Sequence, residues 1–395
     1  MSKLLQIYLR FWAKKYLKRT HPEIIAITGS VGKTSTKDAI FEVLKVKFGN
    51  DIRKSTGNLN NETGVPVAIL DFKQAPSYDA KTPFGWIPII FLAPFKSFLA
   101  EKKKILILEM AADKPGDIRY LTSFIKPKIA VLTGIGPAHL AAFGSIDNIT
   151  SEKTNLIRAL PSDGWAVLNI DDENVRKLSY GGRWQVLTYS IEEKSDFQAK
   201  NIRTGLFKFE GVTTFLLKTE NEEFLIRLPS LGKKTNVYAA LGAIAVGNIF
   251  KISFKGMSRM LEKLRAGNHR MEILKGKKNI TIIDDAYNAN PISMKAALEL
   301  IEGLKAKRKI AVLGEMAELG KMALAAHLEI GQLAKDRVGK IIGVGKLAKK
   351  YQPQKWFATA EEAGKFLLNE IQPGDIILIK GSRKVGLEKV VEVLS

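Results

Sequence analysis

Residues 24–36 read IIAITGSVGKTST, an apolar run that enters a glycine turn and continues into Gly32-Lys33-Thr34. A buried strand that hands its backbone to a helix through such a turn implies a nucleoside-triphosphate site. The backbone N–H groups of Gly29, Ser30, Val31 and Gly32 and the positive end of the following helix wrap the phosphates. Lys33 neutralises the β- and γ-phosphates, Thr34 offers its hydroxyl to Mg²⁺, and Ser35 follows on the same turn. The longer pattern G-x-x-x-x-G-K-[ST] would need a glycine where Ile27 stands. The form present is T-G-x-x-G-K-T. A glycine turn before an ordinary helix is the bland alternative, and the ordered strand, turn, lysine and threonine argue against it.

A chain of 395 residues corresponds to two or three domains at roughly 100–200 residues each. Its 46% hydrophobic content is enough for sizeable cores. With no cysteine, disulfides, thiolate metal sites and a cysteine nucleophile are excluded. The net charge of +22 admits nucleic acid, an anionic membrane surface or anionic substrates as partners. No aromatic-rich RNA-binding signature or Cys/His finger accompanies it, so no specific nucleic acid is expected. There is no signal peptide pattern, and no run reaches the roughly 18 apolar residues of a spanning helix.

Along the chain, strands at 24–28, 105–109, 129–133 and 166–169 alternate with helices at 33–48, 116–125 and 149–160, the pattern of a mostly parallel sheet. Short alternating runs from 183 to 228 predict a small antiparallel sheet, and a small-residue helix follows at 235–249. A second βα series begins near 270, with strands at 280–284, 310–313, 340–344 and 376–380 and a last helix at 384–394. The expected fold class is α/β: a P-loop central domain, residues 21–265, then a Rossmann-like C-terminal domain, residues 266–395. Residues 1–20 form an amphipathic N-terminal helix.

Polar clusters fall after strands, at the sheet edge where ligands gather in open α/β folds. Asn58, Asn60 and Asn61 sit in NLNNETGVP, which on spacing alone reads as a turn and equally offers neutral donors and acceptors. Glu109 ends the buried run ILILE and lies in reach of Mg²⁺ held by a P-loop threonine. His139, in GIGPAHL, follows the next strand. Lys153 lies on a helix and has no role readable from spacing. In the second series, Arg270 follows a glycine turn. Asp284, Tyr287, Asn288 and Asn290 lie in DDAYNANP, Glu315 in GEMAELG, and Ser382 in KGSR.

As an ordered set, ITGSVGKTSTK, NLNNETGVP, the Glu109 strand, GIGPAHLAAFGS, DDAYNANPIS, LGEMAELG and KGSRKVGLE resemble the Mur ligases, ATP-dependent acid–amino-acid ligases of peptidoglycan assembly. The match is to the type that adds D-alanyl-D-alanine to the UDP-N-acetylmuramoyl-tripeptide, and it covers residues 24–395. The resemblance implies ATP and Mg²⁺ as cofactors. Lys33, Lys153 and His139 would be the catalytic residues. Thr34 and Glu109 would hold one Mg²⁺, and His139 and a carbamylated Lys153 a second. Arg270, Asp284, Tyr287, Asn288 and Asn290 would contact nucleotide, and Asn58, Asn60, Asn61, Glu315 and Ser382 the substrates. It also implies a mechanism: a substrate carboxylate takes the γ-phosphoryl group, and the amine displaces phosphate from the acyl phosphate. A related ligase for a folate-type or lipid-linked acceptor, and a non-catalytic nucleotide-binding scaffold, are the alternative readings.

Departures from the family pattern direct attention to membranes. A typical member carries an N-terminal domain that holds the UDP-sugar, and about 20 residues precede the P-loop strand here, far fewer than the ~50 of a small domain. The helix around Asn236 lacks the histidine common before its asparagine. Residues 3–19 place Leu4, Leu5, Tyr8, Phe11, Trp12 and Tyr16 near one face and Arg10, Lys14 and Lys18 on another. Residues 84–98 form a Trp/Phe-rich loop broken by Pro88 and Pro94. These features predict a cytoplasmic enzyme with peripheral contact to anionic membrane through residues 1–20 and 84–104, acting on a peptide-type wall precursor and an amino acid or dipeptide.

Overall fold

The apolar run before the glycine turn becomes β1 (Glu23–Thr28), buried along nearly its whole length, as parallel strands covered on both faces are. The computed structural model describes residues 3–56, 59–76, 83–137, 140–207, 210–231, 234–264 and 269–395. Strands β2 (Ile52–Lys54), β3 (Ile105–Glu109), β4 (Ile129–Leu132), β5 (Trp165–Asn169) and β6 (Gln185–Ser190) join β1 in a parallel ladder. Strand β7 (Phe197–Phe207) pairs parallel with β6, and β8 (Glu210–Lys218) and β9 (Glu223–Leu228) follow antiparallel. The order is β2-β3-β1-β4-β5-β6-β7-β8-β9. The antiparallel region expected at 183–228 is therefore the far end of the large sheet. Its first strand, β6, is parallel, and β8 alternates buried and half-buried residues as a one-sided strand does.

Helices α1 (Lys3–Thr20), α2 (Lys33–Phe48), α3 (Gly64–Ile69) and α4 (Ile87–Leu99) divide between the two faces of this sheet. Ile24, Ala26, Leu106 and Leu108 face α1, α3, α4 and the helix Ile146–Arg158. Ile25, Ile27, Ile105 and Ile107 face α2 and the helices Thr235–Ile249 and Phe254–Leu261. The period-2 alternation of the strands decides which side chains each layer receives.

Helix α1 is part of the core. Leu9, Ala13, Tyr16 and Thr20 are buried at helical spacing, and burying Leu9 alone contributes about 2 kcal/mol. The single apolar face read from the sequence divides: Leu5, Tyr8 and Trp12 pack partly inward, whereas Leu4 and Phe11 stay exposed and are joined by Ile7.

The stretch expected to be a broken loop at 84–98 is largely the helix α4. Pro88 occupies its first turn, where the missing N–H costs nothing. Pro94 lies inside it and cannot bond the carbonyl of Ile90. The Tyr8 hydroxyl of α1 donates to that carbonyl instead, at 2.7 Å.

The second sheet holds β10 (Glu272–Lys275), β11 (Thr281–Asp285), β12 (Arg308–Gly314), β13 (Lys340–Val344), β14 (Lys355–Phe357) and β15 (Asp375–Lys380), ordered β10-β11-β15-β12-β13-β14. All neighbours are parallel except β10 against β11. The junction expected between 265 and 266 lies outside the described residues. The C-terminal ends of β1 and β3 in the first sheet and of β11 and β15 in the second reach a common cleft.

Candidate active site

The loop after β1 is shaped for an anion. Gly29 has φ +153°, and a Cβ there would lie 2.0 Å from the Thr133 hydroxyl, so no other residue fits. Ser30 is pinned from the neighbouring strand: its N–H donates to the Gly134 carbonyl, and its hydroxyl donates to the Gly136 carbonyl and accepts from the Gly136 N–H. Thr133 donates to the Val31 carbonyl at 2.6 Å. Gly32, left-handed at φ +85°, opens α2 with no side-chain cap and no acidic residue in the first turn. The orphan N–H groups and positive end of a 16-residue helix are thereby presented to the cleft, where a phosphate satisfies them.

Glu109 gathers three polar side chains around one carboxylate. Its Oε2 accepts the Thr34 hydroxyl at 2.9 Å and faces the Lys37 ammonium at 3.4 Å, while Oε1 accepts the Asn60 amide at 3.0 Å. Burial alone would push this carboxyl up. The charges of Lys37 and Lys33 and the bonds from Asn60 and Thr34 outweigh it and hold the group below its ordinary range. Among the described residues no three His, Asp or Glu side chains cluster as a metal cage. A threonine hydroxyl beside one ionised carboxylate does suit Mg²⁺, which takes its remaining oxygens from phosphate and water.

Two lysines from different elements meet at one carbonyl. Lys33 of α2 donates to Gly29 O at 2.8 Å, and Lys153, from the helix Ile146–Arg158, donates to the same oxygen at 3.1 Å. Lys153 is 3% exposed. Burial, reinforced by the Lys33 charge, lowers its pKa to about 7. Burial lowers Lys33 as well, against the opposing pull of Glu109. A buried amine that is half neutral at pH 7 is a nucleophile toward carbon dioxide, whereas an ordinary lysine is not.

The opposite wall comes from the second sheet. Arg270 lies over the Tyr287 ring at 3.8 Å, and Lys380 bridges Asp285 at 2.5 Å and the Asn288 carbonyl at 2.9 Å. Asn290 and Ser293 close a capping box on the helix Pro291–Gly303. These walls enclose about 300 Å³ beside the glycine turn. A second hollow of about 330 Å³ continues from it past Asn169, Asp171, Asp172, Tyr238 and Ile292. In it Tyr238 donates to Asp171 at 2.7 Å. Phosphate-binding geometry in the first hollow and a partly apolar second one match the two ends of a nucleotide.

The structure brings Ser30–Ser35, Asn60, Glu109, Arg270, Tyr287, Asn288 and Asn290 around one cleft. Lys153 reaches it from below through Gly29. Asn58 and His139 lie outside the described residues. Asn61 accepts the N–H groups of Gly64 and Thr63 and so shapes the start of α3. Asp284 points away from the cleft to His269, at 2.6 Å, and its strand neighbour Asp285 takes the cleft position. Glu315 accepts the Leu347 N–H. Ser382 is buried, with its hydroxyl unpartnered among the described residues. Sequence reasoning missed Lys37, Asp113, Asp285, Lys380, Asp171 and Tyr238. Of these, Asp285 and Lys380 stood inside recognised loops, and Lys37 one turn along the P-loop helix.

Comparison with known proteins reaches the same fold. Residues 88–247 match the Mur ligase middle domain, and residues 269–383 the Mur ligase glutamate ligase domain. UDP-N-acetylmuramoyl-tripeptide–D-alanyl-D-alanine ligase of Bacillus subtilis is 32% identical, over 97% of this chain and 78% of its own. The Escherichia coli protein of the same name is 30% identical, over 94% and 76%. The structure superposes on MurF ligase from Thermotoga maritima in complex with ADP with a TM-score of 0.83 at 25% identity, covering 98% of this chain and 83% of that one. For MurF from Acinetobacter baumannii the values are 0.82, 26%, 98% and 80%. With both domains matched, relatives aligned along almost the whole chain and the glycine turn built for phosphate, the chain belongs to the Mur ligase family.

Proposed function

We propose that this chain is an ATP-dependent ligase that joins D-alanyl-D-alanine to the carboxylate of a muramoyl-tripeptide-type wall precursor and releases ADP and phosphate, working in the cytoplasm. The observation that carries the reading is the convergence of Lys33 and Lys153 on Gly29 O, directly beside the Thr34–Glu109 pair, in a cleft walled by both sheets. Lys33 supplies positive charge and the turn supplies donors where a transferring phosphoryl group carries its negative charge, and Lys153, once carbamylated, would join in holding Mg²⁺. The names of the aligned relatives supply the substrates.

In this reading the N–H groups of the glycine turn and Lys33 hold and orient the phosphates in line with the acceptor carboxylate. Arg270 and Lys380, from the second sheet, close over the nucleotide. Thr34 and Glu109 would hold Mg²⁺, which supplies charge neutralisation between phosphate oxygens when bound. Asn60, bonded to Glu109, fixes the acceptor side of the site. The acceptor carboxylate forms a new bond to the γ-phosphorus as the bond to ADP breaks. The amine then forms the peptide bond as phosphate leaves with the electron pair, and the amine's proton passes to solvent or a cleft base. No side-chain nucleophile is needed.

The test is phosphate release from ATP with a panel of wall precursors and amines that includes D-alanyl-D-alanine. Release that requires both a muramoyl-peptide acceptor and D-alanyl-D-alanine, and that Lys33→Ala abolishes, is the expected result. Release with a different amine only, or with no wall precursor at all, overturns the assignment.

A further inference from the structure

Helix α4 is apolar apart from Lys96 and Ser97 but buries a single stripe, Ile89, Ala93 and Ser97, which Trp86 extends just before it. The rest faces outward, and Phe91 is 71% exposed. Helix α1 lies alongside. Tyr8 bonds the Ile90 carbonyl, Trp12 meets Phe98 edge-on at 6.1 Å, and Arg19 donates to the carbonyls of Ser97 and Ala100. Their outward side chains form one surface: Leu4, Ile7 and Phe11 from α1, and Phe91, Phe95 and Phe98 from α4. More than half of the large apolar side chains exposed among the described residues lie on these two helices.

The rim of this surface is basic. Lys14, Lys15 and Lys18 continue the exposed side of α1, and Lys102 follows α4. None of the four has a carboxylate within ion-pair distance among the described residues. The nearby Glu101 is paired with Lys103. A 13-residue helix rises only ~20 Å and cannot span the ~30 Å hydrocarbon core, and no helix among the described residues is long and apolar enough to cross a membrane.

We infer that the α1–α4 surface docks the protein on an anionic lipid bilayer, with the phenylalanines in the acyl–headgroup boundary and the lysines on lipid phosphates. Exposed aromatic and aliphatic side chains beside unpaired lysines match that interface. Pairing with a second copy would set the same lysines against one another, a like-charge cost that a lipid surface reverses. The surface also connects to the site. Gln6 of α1 donates to Glu62 at 3.3 Å, two residues from Asn60, which bonds Glu109 at 3.0 Å. The loop proposed to meet the acceptor is therefore carried on the membrane-facing helix.

Co-sedimentation of the full chain with vesicles tests this. The expected result is binding to phosphatidylglycerol–phosphatidylcholine vesicles, weak binding to pure phosphatidylcholine, and loss of binding as salt rises. Phe91→Ser with Phe95→Ser should lower partitioning at least about tenfold. Lys14→Gln and Lys18→Gln should each lower it about fivefold. Both sets should leave the melting temperature and phosphate release with soluble substrates unchanged. Binding absent at low salt, binding indifferent to these substitutions, or a wild-type dimer that Phe91→Ser with Phe95→Ser dissolves would overturn the inference. Vesicle binding is read without turnover, so failure of the ligase assignment leaves this result standing, and the reverse holds.

Discussion

Lys33 and Lys153 share one acceptor, the Gly29 carbonyl oxygen, at 2.8 and 3.1 Å, so a half-buried and a buried amine are held against each other by the glycine turn. The arrangement is costly without a ligand, and the cost falls when negative charge enters the cleft or when Lys153 gives up its own charge.

Lys153→Met should remove that cost together with the activity. Its amine titrates near 7 in the fold against ~10.4 in the unfolded chain. The unfolded state therefore binds more protons between those values, and wild-type stability rises with pH across that window. The penalty is complete below pH 7 and fades toward pH 10. Thermal unfolding of the unliganded proteins should show Lys153→Met melting above wild type at pH 6, with the gap closing as pH rises. Phosphate release should be absent in the variant throughout.

The same titration gives a bicarbonate effect. Below about 7 the free amine able to take up carbon dioxide falls about tenfold per pH unit. Added bicarbonate should raise turnover at pH 6 and change it little at pH 8. Initial rates in air-equilibrated and bicarbonate-supplemented buffer measure this.

Glu109→Gln removes the charge opposite Lys37, a pair buried on both sides. Breaking one partner of such a pair costs about 3 kcal/mol, and urea unfolding should report it. Adding Lys37→Met should recover most of that stability. Turnover should stay down by about a hundredfold, because Thr34 has lost its carboxylate partner.

His269 and Asp284, 2.6 Å apart, pull against each other in titration. Burial lowers the imidazole, but the Asp284 bond and the surrounding carboxylates raise it above its ordinary value overall. Burial raises Asp284, with His269 partly offsetting it. The short contact decides for a raised imidazole. Its contribution is then complete below pH 6.5 and is lost as pH rises through the raised value. Because the ring is partly exposed, the effect is modest. His269→Gln should lower the melting temperature at pH 6 by about a degree, at the ~2 °C per kcal/mol or less of a chain this long, and the difference should shrink as pH rises.

Tyr8→Phe leaves the Ile90 carbonyl, already deprived of a helical partner by Pro94, without its donor. A loss of about 1 kcal/mol is expected, seen as earlier unfolding with unchanged turnover.

The glycine turn, its strand and the strand-end Glu109 were legible because their signals are local: a β-forming run, glycines at fixed spacing, a hydroxyl after a lysine. The central strands of both sheets were legible for the same reason. The short edge strands β2, β10 and β14 were not, since three or four residues carry too little periodicity. Helix α4 was hidden by two prolines whose penalties are absorbed by position, Pro88 in the first turn and Pro94 by the distant Tyr8 hydroxyl. Lys153 became interpretable only when the fold set it against Lys33. Asp171 and Tyr238, 67 residues apart, form their contact by topology alone, and no spacing in the chain announces it. At Asp284 and Asp285 the chemistry was readable, but the one-residue alternation of a strand decided which carboxylate reached the cleft.

The bond between Gln6 and Glu62 ties the loop that carries Asn60 to α1. For an enzyme lying on a bilayer, an acceptor anchored in the same sheet of lipid is found by diffusion in a plane rather than through a volume.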